Sequence, residues 1–96
     1  MKKFFNIIPG KDACCILLYG DIGDYDDNVR SGDIARELLE AEALSGRIDV
    51  RINSNGGEVY AGIAIFNALK NSKADITIYV DGIAASMASV IALCGK

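Results

Sequence analysis

Arg47-Ile48-Asp49-Val50-Arg51-Ile52-Asn53-Ser54-Asn55-Gly56-Gly57 is the stretch whose reading decides the fold. It opens with alternation, Ile48, Val50 and Ile52 against Asp49 and Arg51, which is the period of a strand with one covered face. Ser54-Asn55-Gly56-Gly57 is a tight loop. A helix is expected from about Glu58 to Lys70, with Val59, Gly62, Ile63, Phe66 and Leu69 as its buried stripe and Asn71-Ser72-Lys73 at its end. Asp75 to Asp81 alternates again, Ile76, Ile78 and Val80 against Thr77 and Tyr79, and Gly82 is expected to break that strand. A strand, a helix and a strand at this spacing imply a right-handed parallel crossover.

The same logic extends in both directions. Upstream, Phe4–Ile8 and Ala13–Tyr19 are short apolar runs joined by Pro9-Gly10-Lys11-Asp12, whose turn chemistry suggests a hairpin. Gly20–Asp24 ends the second run in a loop. A helix capped by Ser31 or Asp33 should run to about Leu44, with Ile34, Leu38 and Ala41 on its buried face and Glu37, Glu40 and Glu42 mostly off it. Ser45-Gly46 stops it. Downstream, Ala84–Leu93 is small, apolar and helical in propensity, with Ser86 and Ser89 embedded. The expected order is β-β-α-β-α-β-α, an α/β fold with a mainly parallel sheet.

Composition narrows the classes of function. The chain has 96 residues, 51% hydrophobic and 24% charged, with a net charge of −3. At this size about 64% of the unfolded surface would be buried, enough for one modest core and one domain, residues 1–96. Lys and Arg are scattered, which argues against nucleic acid. No run is long enough to span a membrane, and Asn6 with Pro9-Gly10 cuts the apolar start too short for a secretion signal. Cys14, Cys15 and Cys94 form neither a disulfide framework nor a zinc pair, so a reduced, cytoplasmic setting fits and no metal or cofactor is implied. There is no histidine. An imidazole base or a His-ligated metal cannot come from these residues.

Two loops could carry chemistry. At Gly56-Gly57 the paired glycines permit positive φ and let backbone N–H groups approach an anion or oxyanion; the same residues also make a plain turn. At Gly82–Ser89, a serine after a strand and a glycine can present its hydroxyl beside the next backbone N–H, as a nucleophile with half an oxyanion hole; it can equally be a cap or a small packing residue. Asp21, Asp24, Asp26 and Asp27 lack the spacing of a calcium loop and read as a solvated loop that caps the next helix. Tyr19, Tyr25, Tyr60 and Tyr79 are expected to be half-buried.

Taken together, Asn53-Ser54-Asn55-Gly56-Gly57, the helix with Ala61-Gly62, Ile76–Val80 and Gly82-Ile83-Ala84-Ala85-Ser86-Met87-Ala88 resemble the ClpP peptidase family in order and spacing. Ile16–Gly23 is similar, more narrowly, to the ClpP-like proteases of phages and prophages that mature capsid heads. The resemblance implies a ClpP/crotonase-like spiral of β-β-α units, here truncated, and a serine endopeptidase, Clp-type or independent of ATP. Ser86 would be the nucleophile. The backbone N–H groups of Gly57 and Met87 would form the oxyanion hole. Gly56 and the stretch around Val59 would bind substrate backbone as an added strand. A peptide or protein substrate, a homo-oligomeric ring, and capsid or scaffold proteins are the implied partners.

The sequence departs from the family in two places. Asn55 stands where the family loop usually has a proline. The family's histidine base and its acidic partner lie well downstream of the serine, yet ten residues follow Ser86 and none is histidine. The chain is thus expected to be an N-terminal part lacking the His/Asp segment and the helical handle, inactive by itself and leaning on neighbouring chains. A serine–lysine dyad would need Lys11, Lys70, Lys73 or Lys96, none of which sits in a motif connected to Ser86. A crotonase-type acyl-CoA enzyme and a non-catalytic assembly or scaffold relative are the alternatives.

Overall fold

The computed structural model describes residues 7–9 and 13–95. Strand β1 (Ile7–Pro9) is followed by β2 (Cys14–Tyr19), α1 (Ser31–Leu44), β3 (Arg47–Ser54), α2 (Val59–Lys70), β4 (Asp75–Ala84), α3 (Met87–Ile91) and a 3₁₀ turn at Ala92–Cys94. The expected order of elements is the observed one. One sheet runs β1-β2-β3-β4, with β1 antiparallel to β2 and the other two pairs parallel. The hairpin is therefore present, although Pro9 is the last residue of β1 rather than part of the turn. Phe4 and the turn residues Gly10–Asp12 lie outside the described residues.

Two successive crossovers moving the same way along the sheet place α1 and α2 side by side on one face. Cys14, Ile16 and Leu18 of β2 point into the core, as do Ile48, Val50 and Ile52 of β3 and Ile76 of β4. Rungs such as Ile16↔Val50 and Val50↔Ile78 keep these side chains in rows. Helix α1 meets them with Ile34, Leu38 and Ala41, and α2 with Ala61, Ile65 and Leu69. Each fully buried branched aliphatic side chain adds about 1.5–3 kcal/mol, so these rows dominate the stability of the sheet.

Several local expectations are corrected. The stripe of α2 is rotated: Gly62 and Leu69 are buried as expected, but Val59 and Ile63 are exposed and Ala61 and Ile65 take their place, with Phe66 half-buried. Apolar residues ring this helix, so its phase is set by what the sheet presents. Glu37 is buried with Ile34 and Ala41, from which it stands three and four residues away, one face of a helix. Tyr60 is exposed.

The cap of α1 also differs. Its N-cap is Arg30, which makes no side-chain cap bond. Asp24 does that work from the preceding loop. Its Oδ1 accepts the Ser31 N–H at 2.6 Å and its Oδ2 accepts the Ser31 hydroxyl at 2.9 Å. The acidic loop is thus a helix-capping loop, as its spacing suggested.

Strand β4 does not break at Gly82 but continues to Ala84, and α3 begins only at Met87. The ladder tolerates this because β4 bulges. Between the rungs Ile52↔Val80 and Ser54↔Ala84, β3 has only Asn53, whereas β4 has Asp81, Gly82 and Ile83. Among the described residues, no helix is long and apolar enough to cross a membrane.

Candidate active site

Everything of chemical interest gathers where β3 and β4 end. The bulge carries β4 past its regular register, Ala85 N–H then donates to Ser54 O at 3.2 Å, and the chain turns sharply at Ser86. Ser86 has φ 53° and ψ −125°, a conformation that residues with a Cβ rarely adopt. Such strain costs about 1–3 kcal/mol and persists only where the surroundings impose it. Here the next turn imposes it. Ala88 N–H bonds Ala85 O at 3.0 Å, while Ser86 O accepts both the Ser89 N–H at 3.0 Å and the Ser89 hydroxyl at 2.6 Å. Among the described residues, nothing hydrogen-bonds the Ser86 hydroxyl. Met87 is the first residue of α3, so its N–H has no acceptor within the helix.

The glycine loop reaches the same point. A Cβ on Gly56 would lie 2.7 Å from Ser86 Cβ and 3.0 Å from Met87 N, so only glycine lets the loop stand this close to the serine turn. Gly56 N–H is held by Ser54 Oγ at 3.0 Å. Gly57 is fixed from the far side: Ile22 N–H donates to Gly56 O and Glu58 N–H donates to Ile22 O, both at 2.9 Å. This is a one-rung parallel bridge between Ile22 and Gly57. In such a bridge the two neighbours of Gly57 face Ile22, so the Gly57 N–H itself points away from that strand. Its φ of 148° and a would-be Cβ 2.1 Å from Ile22 O both require glycine.

Ser86, Met87, Gly56 and Gly57 are thus brought together. Val59 opens α2 directly after the loop and is exposed. Met87 is also seated by its side chain, whose methyl occupies the space that a Cβ on Gly62 would take, at 2.6 Å. Lys70 and Lys73 lie at and beyond the other end of α2, roughly 16 Å along the axis from Val59, too far to serve Ser86. Lys11 and Lys96 lie outside the described residues.

The uncovered sheet face beneath the site carries a charged clamp. Arg51 donates from Nε and Nη2 to Asp81 at 2.8 and 2.6 Å, and the Tyr19 hydroxyl donates to the same carboxylate. The guanidinium also stands 4.8 Å from the centre of the Tyr79 ring. The hydrogen bonds from Arg51, and then from Tyr19, hold the Asp81 carboxyl below the ordinary carboxylate range. Its bond to Asp81 pushes the Tyr19 phenol up. Burial raises the Cys15 thiol on this face, so it is not poised as a nucleophile.

Sequence reasoning named Ser86, Met87, Gly56 and Gly57, and Gly62 as a buried helix residue, but gave no role to Ile22, Asn53 or the Asp81 clamp. Asn53 stood within the quoted motif. Nothing local marks Ile22, whose part is played by main chain.

Comparison with known proteins gives a consistent picture. A family model described as Clp protease matches residues 13–96. A proteolytic subunit of ATP-dependent Clp protease from Ligilactobacillus salivarius is 42% identical over 74 residues, which is 76% of this chain and 38% of the relative. Those of Leuconostoc citreum and Streptococcus mutans are 39% and 42% identical over similar stretches. The solved structure of ClpP1 from Listeria monocytogenes superimposes with a TM-score of 0.75 at 31% identity, covering 85% of this chain and 46% of its own. A point variant of that protein gives 0.76. The chain therefore spans less than half the length of the relatives it matches, and shares their fold over that part.

Proposed function

The chain belongs to the Clp protease family, and on that premise we propose that residues 1–96 carry the nucleophile and the oxyanion hole of a serine endopeptidase. The close approach of the Gly56-Gly57 loop to Ser86 and the Met87 N–H at the ends of β3 and β4 is the observation that carries this reading. Ser86 Oγ attacks the peptide carbonyl carbon, and its proton passes to a base. The carbonyl oxygen, now negative, lies between the Gly57 and Met87 N–H groups. Preorganised donors of this kind lower the barrier by about 3–4 kcal/mol each. The short stretch Gly56-Gly57-Glu58, which ends where Val59 opens α2, receives substrate backbone as an added strand, with Val59 exposed beside it.

A serine hydroxyl without a base is a poor nucleophile at neutral pH. The 96 residues contain no histidine, so the base and its acidic partner come from outside this sequence. The working enzyme is then a ring of longer subunits in a reducing compartment, a setting that the free cysteines Cys14, Cys15 and Cys94 support. The narrower reading, a phage or prophage protease that trims capsid or scaffold proteins, rests on Ile16–Gly23 alone. Its test is cleavage of a co-expressed capsid protein.

The main test is covalent labelling of the full-length protein with a fluorophosphonate. Labelling at Ser86 that disappears in Ser86→Ala is the expected result. A full-length protein that neither labels nor cleaves peptides would leave the non-catalytic scaffold reading in place. The 96 residues alone are expected to show no peptide hydrolysis.

A further inference from the structure

Between the last regular rung of β3 and β4 and the strained serine lies a bulge with three residues on one strand opposite a single residue on the other. An unpaired bulge is normally soft, because its extra residues lose ladder hydrogen bonds. This one is filled. Asn53 Oδ1 accepts the Ile83 N–H at 3.2 Å, and the same oxygen lies 2.6 Å from where a Cβ on Gly82 would stand. Asn53 O meanwhile accepts the Gly20 N–H at 3.0 Å, which ties the residue to the end of β2. The bulge is therefore pinned below by the Arg51–Asp81 pair, inside by Asn53, and above by Ser54 O on Ala85 N–H.

We infer that Asn53 is a positioning residue for catalysis: by filling the β4 bulge, its side-chain amide sets where Ser86 and the Met87 N–H stand relative to the glycine loop. This rests on the reading of Ser86 as nucleophile. Two residues, Ala84 and Ala85, separate Ile83 from Ser86, and the one rung beyond the bulge, Ser54↔Ala84 with its Ala85 N–H bond to Ser54 O, is all that holds them to β3. Freeing Ile83 N–H lets that turn shift against Gly56, where contacts are already close. A displacement of about 1 Å at a reacting centre costs on the order of a hundredfold in rate.

The test is steady-state hydrolysis of a fluorogenic peptide amide by the full-length protein, with melting temperature and assembly state measured alongside. Asn53→Ala should lower kcat by about tenfold to a hundredfold with KM nearly unchanged. Asn53→Asp keeps the acceptor oxygen and should recover most of the rate. Gly82→Ala drives a methyl group into Asn53 Oδ1 and should match the loss in Asn53→Ala. The double variant should be no worse than either single one, because the methyl group then enters vacated space.

Wild-type kcat in Asn53→Ala, equal losses in Asn53→Asp and Asn53→Ala, or additive losses in the double variant would each overturn the inference. If Asn53→Ala does not assemble, Gly82→Ala decides alone, and an unchanged kcat there counts against the proposal. Ser86→Ala separates the two readings. Residual turnover in that variant overturns the nucleophile assignment. Its complete inactivity beside a fully active Asn53→Ala overturns only the role of Asn53.

Discussion

The β3–β4 pair obeys the rules of a sheet in its lower half and departs from them in its upper half. From Arg47↔Asp75 to Ile52↔Val80 the strands are in unbroken register, with Ile48, Val50, Ile52 and Ile76 buried in rows. Above Ile52 the register jumps, Gly56 and Gly57 take positive φ, and Ser86 sits at φ 53°. The strain at Ser86, about 1–3 kcal/mol, is no larger than the gain from burying one of those aliphatic side chains. The regular half can therefore hold the irregular half in shape with stability to spare. Regularity supplies the anchorage, and the departures supply free N–H groups and a presented hydroxyl.

That contrast can be broken most severely at Gly57. A methyl group there would meet Ile22 O at 2.1 Å, so Gly57→Ala must open the bridge and move the loop. Peptide hydrolysis by the full-length protein should fall at least a hundredfold, as for loss of an oxyanion donor; near-normal turnover would mean that Gly57 has no part in the site. In the regular half the loss should fall on stability instead. Ile48→Ala should cost about 2–4 kcal/mol in denaturant unfolding, because Ile48 is fully buried between Cys14 and Ile76.

Smaller effects sharpen the same comparison. Ser86→Gly removes the Cβ that makes its backbone strained and should raise stability by about 1 kcal/mol while abolishing activity. A loss of stability in that variant would show that the turn is not strained. The smallest effect concerns the clamp. Arg51 and Tyr19 depress the Asp81 pKa in the folded state, so its contribution is present above the unfolded carboxylate value, about 3.9, and lost as pH falls through the folded value. Melting temperature should drop less steeply below pH 4 in Asp81→Asn than in the unmodified protein. Identical acid profiles would show that the clamp adds nothing to stability.

The regular half was legible in the sequence because its information is periodic. Ile48-Asp49-Val50-Arg51-Ile52 announces both a strand and its buried face, and the β-β-α-β-α-β-α order followed from such segments. The glycine loop and Ser86 were legible as motifs. What escaped was non-periodic. Gly82 read as a strand breaker, because alternation of side chains says nothing of a backbone that bulges and continues. The phase of α2 was misread because Val59-Tyr60-Ala61-Gly62-Ile63-Ala64-Ile65-Phe66 is apolar on nearly every side. Asp24 caps α1 from seven residues before Ser31, beyond the reach of a rule written for adjacent positions.

The bridge between Ile22 and Gly57 is main chain on both sides. On the Ile22 side the joint uses only peptide groups, whereas on the other side it accepts only glycine at 57. The loop that supplies Ile22 can therefore drift in its exposed amino acids over generations without loosening the glycine loop, provided its path is kept. Descendants of this sequence could look dissimilar there and still hold Gly57 in place.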